Sequence, residues 1–202
     1  NQLVEFFGAF EGPKRLELRP GDHAVPEATG LVGLPNGAWD SLRHWMDAHL
    51  RGGAPVANGI ELHSQSDGPT EFFGDWASVS HDTRRFELGA PRTIGIDLDT
   101  LAHGGIALVS GALDQLTGVP PLLEIALVDR LHGAFWLSPA DAGLIAIRGI
   151  PTVHLEITPS RPTGTLVSYL YDVDAAGLGR LITQGPGSWR ADTRSLDVEL
   201  PV

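Results

Sequence analysis

The sequence predicts a mainly β protein, in which a jelly-roll β-sandwich follows a helix–strand–loop–helix segment of α/β character. The chain of 202 residues contains 25 Gly and 15 Pro, which favour many turns between short strands. The two clear helical patterns both lie before residue 51, and short alternating or apolar segments follow Pro55. We therefore expect two domains, residues 1–55 and residues 56–202, the second of them cut short at its C-terminal end.

Three elements are predicted in the first domain. Apolar residues at near-helical spacing predict a helix over 2–10, which Gly12-Pro13 ends. Alternation of Leu16 and Leu18 with charged residues predicts a strand over 14–19, followed by a loop to residue 35. The second helix, over 36–50, is expected to be capped by Asn36 and to bury one apolar stripe, formed by Trp39, Leu42, Met46 and His49.

The second domain is expected to consist of short strands. The clearest alternation is Thr152–Thr158, and Asp174–Gly177 carries the signal of a hairpin turn between the strands on either side. Strands are predicted over 59–64, 84–88, 93–98, 107–109, 134–137, 144–148, 152–158, 165–173, 180–184 and 195–202. So many strands separated by turns indicate a sandwich or jelly roll.

Composition excludes several classes of function. The net charge is −11 and the sequence has no run of basic residues, so neither nucleic acid nor an anionic membrane surface is an expected partner. The absence of Cys excludes disulfides, thiolate metal sites and a cysteine nucleophile. Arginine supplies 13 of the 14 basic residues, which is typical of a GC-rich bacterial genome. Localisation stays open between bacterial cytoplasm and secretion.

His23 is the main candidate for chemistry. It follows the predicted strand 14–19 in a Gly-rich loop, and catalytic groups gather beyond the carboxyl ends of strands in α/β sheets. A histidine there can act as a general base if a serine hydroxyl and an orienting carboxylate reach it. Its neighbour Asp22 cannot readily bend back to orient it. The alternative is a loop histidine without a role.

The other two members of a catalytic triad are not found. No Gly-x-Ser-x-Gly pattern occurs in the sequence, and in α/β-hydrolases the histidine comes last along the chain. The only Met is Met46, so Asn1 is not expected to be a natural start. We therefore expect the nucleophile and the acid to lie upstream, in a longer protein of which this chain is a processed product or a fragment.

Neither a metal site nor a cofactor site is predicted. His44 and His49 are five residues apart on one helix and do not form an i, i+4 pair. Asp97, Asp99 and His103 could hold a cation, but acidic residues in such a turn are usually solvated. Asp172 and Asp174 flank the hairpin turn, where aspartate is favoured because its side chain hydrogen-bonds to the backbone. The glutamates of the first domain are expected to be solvated or in loops: Glu5, Glu11, Glu17 and Glu27.

Four stretches resemble the peptidase S15 and cocaine-esterase-like family of serine hydrolases, which includes Xaa-Pro dipeptidyl-peptidases. Pro13–His23 resembles the last sheet strand and the loop bearing the triad histidine, and Trp45–Gly52 resembles the closing helix. Leu144–Leu155 and Thr163–Asp174 are similar to strands of the family's C-terminal jelly roll. The family loop usually reads Pro-Trp-x-His, and the tryptophan is missing here.

The resemblance implies the C-terminal portion of a bacterial hydrolase of peptides or acyl esters. Residues 1–55 would be the remnant of an α/β-hydrolase domain, and residues 56–202 a galactose-binding-like jelly roll that shapes substrate access. His23 would be the triad base of the parent protein, with the upstream catalytic part as partner. The chain alone would be inactive, and homo-oligomerisation is left open.

A different hypothesis is that the chain is a free-standing jelly-roll module that binds carbohydrate or peptide. Trp76, Trp136 and Trp189 are its candidate platforms, because exposed indole faces stack on ligands. The alternative without a binding role is that these tryptophans pack under loops or between domains.

Overall fold

A computed structural model describes residues 2–20, 25–65, 68–95, 100, 102, 122–141 and 143–200. The fold is mainly β, as predicted, with several antiparallel pairings that are compatible with a β-sandwich. The described residues form two compact units, residues 2–79 and residues 80–200. The boundary expected at residues 55 and 56 falls inside the first unit.

The first unit contains three helices and a three-stranded sheet among its described residues. Its elements are α1 (Gln2–Ala9), β1 (Arg15–Leu18), α2 (Val25–Leu31), α3 (Gly37–Leu50), β2 (Gly59–Leu62), β3 (Glu71–Phe73) and a 3₁₀ turn, Trp76–Ser78. The sheet has the order β1-β2-β3, in which β1 and β2 are parallel and β2 and β3 are antiparallel. Parallel strands need a long crossover, and here α2 and α3 provide it.

Two elements of this unit differ from the sequence-based expectation. The helix α2 lies where Pro26, Gly30 and Gly33 predicted a loop, although Pro is well tolerated in the first turn of a helix. Gly30 is needed there because a Cβ would lie 2.0 Å from the Trp39 indole. The strand β3 lies in the aromatic stretch that was not expected to form a strand.

The core of the first unit is small. It consists of Phe7, Leu16, Ile60 and Val79, with Ile60 only 2% exposed. Phe7 comes from α1, so α1 covers the face of the sheet that presents Leu16 and Ile60. The opposite face of the same two strands carries Arg15, Glu17 and Glu61, because neighbours along a strand point to opposite faces.

The helix α3 packs on that charged face, and the side that it turns toward the sheet is not the expected one. Asn36 caps it as predicted, accepting bonds from the backbone nitrogens of Ala38 and Trp39 at 3.0 and 3.1 Å. The expected buried stripe was wrong: Trp39, Leu42 and Met46 are 42–48% exposed. The partly buried side is instead formed by Ala38, Ser41, Trp45 and Ala48.

The second unit contains two antiparallel sheets. Its strands are β4 (Leu122–Glu124), β5 (Thr152–Glu156), β6 (Thr163–Val173), β7 (Leu178–Arg190) and β8 (Ser195–Glu199). The orders are β4-β7-β6 and β5-β8. The predicted β6–β7 hairpin is present, and its turn is held by the Asp174 carboxylate, which accepts from the Ala176 nitrogen at 2.8 Å.

The two sheets of this unit meet where β8 crosses β7. A Cβ on Gly187 would lie 2.6 Å from Cγ2 of Val198, so only glycine permits this approach. Val198 and Leu200 are each 1% exposed. One sheet thus packs against the other, which is the basic arrangement of a sandwich.

Several predicted strands of the second domain are absent from the described residues. Residues 84–88, 93–95, 134–137 and 144–148 are not assigned to any strand. Leu144 and Ile145 are exposed, so these apolar side chains belong neither to a described strand pair nor to the core. The predicted strand at 107–109 and residues 96–98 lie outside the described residues.

Candidate functional site

The predicted catalytic residue, His23, lies outside the described residues, as do Gly21 and Asp22. The structure describes what flanks them. β1 ends at Leu18 and α2 begins at Val25, so His23 comes, along the chain, after the carboxyl end of a strand that is paired in parallel. The Asp97, Asp99 and His103 group also lies outside the described residues.

A network of charged side chains occupies the face of β1 and β2 beneath α3. Glu17 of β1 lies opposite Glu61 of β2 in the parallel register. The Glu17 carboxylate accepts hydrogen bonds from Arg15 Nε at 2.9 Å, from Arg19 Nη2 at 2.9 Å and from the Ser41 hydroxyl of α3. The interpretation of Glu17 as a solvated residue was therefore wrong: 15% of its side chain is exposed.

The second carboxylate of the network is more deeply buried. Glu61 is 7% exposed and accepts a hydrogen bond from Arg15 Nη2. His63 Nε2 lies 2.8 Å from Glu61 Oε1, at ion-pair distance but without the alignment of a hydrogen bond. The His63 backbone nitrogen donates to the Leu18 carbonyl at 2.9 Å, which fixes this residue just past the carboxyl end of β2.

The electrostatics of Glu17 follow from competing effects. Burial raises the pKa of its carboxyl, but the hydrogen bonds from Ser41, Arg19 and Arg15 together outweigh that cost and lower the pKa below its usual value. The carboxylate is thus held ionised. The network joins β1, β2 and α3 through charge-assisted hydrogen bonds, which are stronger than neutral ones.

Glu17, Glu61 and His63 are the one group of ligand-type side chains close enough to hold a metal ion within the part of the chain that the structure describes. Their donor atoms lie within 4.8 Å of one another. Both carboxylates, however, already accept from Arg15, and Arg19 adds a second positive charge. The arrangement is a balanced ion network, and we assign no metal to it.

An open cleft adjoins the network. Its volume is about 470 Å³, and it lies between α3 and the segment that leads into β2. Arg15 and Ser41 belong to both the cleft and the network. The complete lining is Arg15, Ser41, His44, Asp47, Gly53, Ala54, Pro55, Val56 and Ala57.

The tryptophan platforms are engaged in packing. Trp76 contacts the core of the first unit, and the Trp189 ring covers Gly164 while its Nε1 donates to the Arg161 carbonyl at 3.1 Å. Trp136 is partly buried, and its buried Nε1 has no hydrogen-bond partner among the residues described. All three indoles are partly buried.

His44 and His49 lie on exposed positions of α3, and the His49 ring packs on Trp45 with centroids 4.2 Å apart.

Sequence reasoning missed the charged network, although a signal was present. Arg15 and Glu17 alternate along β1 and Arg19 continues the alternation just past its end, so their side chains share one face. In an α/β fold, helices cover both faces of a strand. The charged side chains on one face of β1 are therefore expected to lie beneath a helix.

Comparison with known proteins gives no assignment. No family model matches the chain, and no curated protein matches it significantly.

The longest described helix, α3, has 14 residues, and none of the described helices has the length and hydropathy needed to cross a membrane.

Proposed function

We propose that this chain is the C-terminal portion of a serine hydrolase that cleaves peptides or acyl esters, with His23 as its triad base. One observation carries the proposal. His23 comes between β1 and α2 along the chain, and β1 is paired in parallel with β2 across a helical crossover. In such sheets, catalytic loops lie at the carboxyl ends of the strands.

The local architecture supports an α/β origin for the first unit. Residues 19–58 connect the parallel strands and contain α2 and α3, as in a βαβ unit. α1 covers one face of the sheet and α3 the other, because Phe7 packs on Leu16 whereas Ser41 bonds to Glu17. Helices on both faces of a parallel sheet are the layer pattern of α/β folds.

The second unit supports the jelly-roll part of the proposal. Its two antiparallel sheets are packed through Gly187 and Val198, and its β6–β7 hairpin occupies the stretch that resembles the family. In the proposed protein, this sandwich is non-catalytic and shapes substrate access. The upstream catalytic part of the same polypeptide is its partner.

His23 would act as base and then as acid in each of the two stages of acyl hydrolysis. Its imidazole accepts the proton of the serine hydroxyl as the oxygen attacks the substrate carbonyl. It returns that proton to the leaving amine or alcohol, and then activates water to release the acid. The proposal assigns neither a cofactor nor a metal to this chain.

Labelling with a fluorophosphonate, which reacts with activated serines, tests the proposal. The translated product of the complete reading frame should be labelled, and the chain of residues 1–202 should not. His23→Ala should slow labelling of the product by about 10³-fold or more, the loss expected when a triad member is removed. His81→Ala, at an exposed position of the second unit, is the matched control and should label normally.

Equal labelling of the His23→Ala variant would remove His23 from the triad. A product that is folded but never labelled would favour the binding-module alternative. For that alternative, Trp fluorescence should shift on titration with sugars or peptides. No shift in a folded sample would count against it.

A further inference from the structure

We infer that Trp39 is a positioning residue for His23, because it holds against α3 the helix that begins two residues after His23. That helix is α2, and the contacts between α2 and α3 are made by residues that the structure describes. The role toward His23 rests on the proposed function.

Trp39 contacts α2 through both its ring and its ring nitrogen. Its Nε1 donates to the Glu27 carbonyl at 3.0 Å, and a Cβ on Gly30 would lie 2.0 Å from the indole Cδ1. Trp39 is 42% exposed, so burial in the core does not account for its position. Its indole instead holds α2 against α3.

The cap of α3 adds a second contact with α2. Asn36 accepts from the first turn of α3 through Oδ1, and its Nδ2 donates to the Thr29 hydroxyl at 2.9 Å. The helix α2 has only 7 residues, and isolated helices shorter than about 12–15 residues are marginally stable in water. The position of α2 therefore depends on its contacts with α3.

The chain on the other side of His23 is fixed to the same helix. Arg19, the residue after β1, donates to the Glu17 carboxylate from Nε at 3.2 Å and from Nη2 at 2.9 Å. Its Nη1 lies 3.1 Å from the position that a Cβ on Gly37 would occupy. Ser41, one turn further along α3, also donates to Glu17. The helix α3 thus contacts the described chain both before and after His23.

Chain geometry links the position of α2 to that of His23. An extended chain spans at most about 3.6 Å per residue, so the Cα of His23 lies within about 7 Å of the Cα of Val25, two residues later. A shift of α2 therefore changes the positions that His23 can reach. A general base has to lie within hydrogen-bond distance of the proton that it takes, and a misplacement of about 1 Å can cost about 100-fold in rate.

Trp39→Phe tests this role, because it keeps an aromatic ring beside Gly30 and removes the Nε1–H donor. In the translated product of the complete reading frame, the maximal rate of fluorophosphonate labelling should fall about tenfold or more, with the half-saturating probe concentration unchanged. Trp45→Phe is the matched control on the same helix. The Trp45 ring packs on His49, and this variant should label normally.

The same substitution in the His23→Ala variant separates positioning from general damage. A residue that acts only through His23 has no further effect once the imidazole is removed. Trp39→Phe should therefore leave the residual labelling of His23→Ala unchanged.

Hydrogen exchange in the chain of residues 1–202 tests the contact itself. The Leu34 nitrogen donates to the Thr29 carbonyl at 3.0 Å, just past the end of α2. In Trp39→Phe, the Leu34 amide should exchange about fivefold faster or more, as expected for the loss of one hydrogen bond.

Parent-like labelling of Trp39→Phe would overturn the positioning role, and so would a further loss in the His23→Ala variant. Unchanged exchange at Leu34 would mean that the Trp39 bond does not hold α2, and would overturn it as well. A product that is never labelled would reject the hydrolase and, with it, the role toward His23. Faster exchange at Leu34 would then retain only the contact between α2 and α3.

Discussion

Replacing Glu17 by Gln should destabilise the first unit at neutral pH and have little effect in acid. The substitution keeps the shape of the side chain but removes the charge that accepts hydrogen bonds from Arg15, Arg19 and Ser41. Hydrogen bonds to charged groups contribute about 1.5–3 kcal/mol each, and the burial of the carboxylate offsets part of that sum. We therefore expect a loss of about 2–3 kcal/mol in the free energy of unfolding at pH 7.

The pH dependence gives the sharper test. The folded-state pKa of Glu17 lies below its usual value of 4.5, so its ionised form is favoured by folding. That contribution is fully present above the unfolded-state pKa and is lost as the pH falls through the folded-state pKa. The difference between the parent chain and Glu17→Gln should therefore be constant near neutrality and shrink below about pH 4.5.

Urea unfolding followed by tryptophan fluorescence measures both quantities, because Trp39, Trp45 and Trp76 all lie in the first unit. Glu11→Gln is the matched control, at an exposed position, and should change stability by less than about 0.5 kcal/mol at any pH. A Glu17→Gln variant that is as stable as the parent at pH 7 would refute the network's role. So would a loss of equal size at pH 7 and pH 3.

Three further outcomes are expected. Ile60→Ala should cost about 2–5 kcal/mol in urea unfolding because Ile60 is 2% exposed in the core, whereas Leu31→Ala, at 73% exposure, should cost little. Gly187→Ala should lower the melting temperature of the second unit in calorimetry, because the new Cβ would lie 2.6 Å from Val198 Cγ2. An unchanged melting temperature would mean that β8 does not cross β7 at this point. Burial raises the pKa of Tyr171 to about 12, with a smaller effect of Tyr169, so ultraviolet titration should show a tyrosinate step near pH 12 that Tyr171→Phe removes.

Local signals in the sequence were sufficient for the clearest elements. Asn36 caps α3, and Asp174 holds the β6–β7 turn with Gly177 at a φ of 89°. Such motifs are decided by a few neighbouring residues, so they can be predicted without knowledge of the rest of the chain. The extents of β6 and β7 were underestimated, because Gly185 and Gly187 resemble turn residues although they lie within a strand.

Pairing and the site were harder to predict because both depend on contacts distant in sequence. Nothing near Gly59 indicates that it pairs in parallel with Arg15, 44 residues earlier. Glu17 and Glu61 were not considered together for the same reason. Once the register is known, Arg15 of β1 and Arg19 just after it explain how two carboxylates are accommodated beneath a helix.

The incorrect orientation predicted for α3 follows from a general assumption about amphipathic helices. An apolar stripe is expected to face the core when the surface beneath the helix is apolar. Here the surface is the charged face of β1, and Ser41 satisfies Glu17 where a leucine would leave a buried carboxylate short of a donor. The small and polar side of α3 therefore faces the sheet, and Leu42 and Met46 face outward.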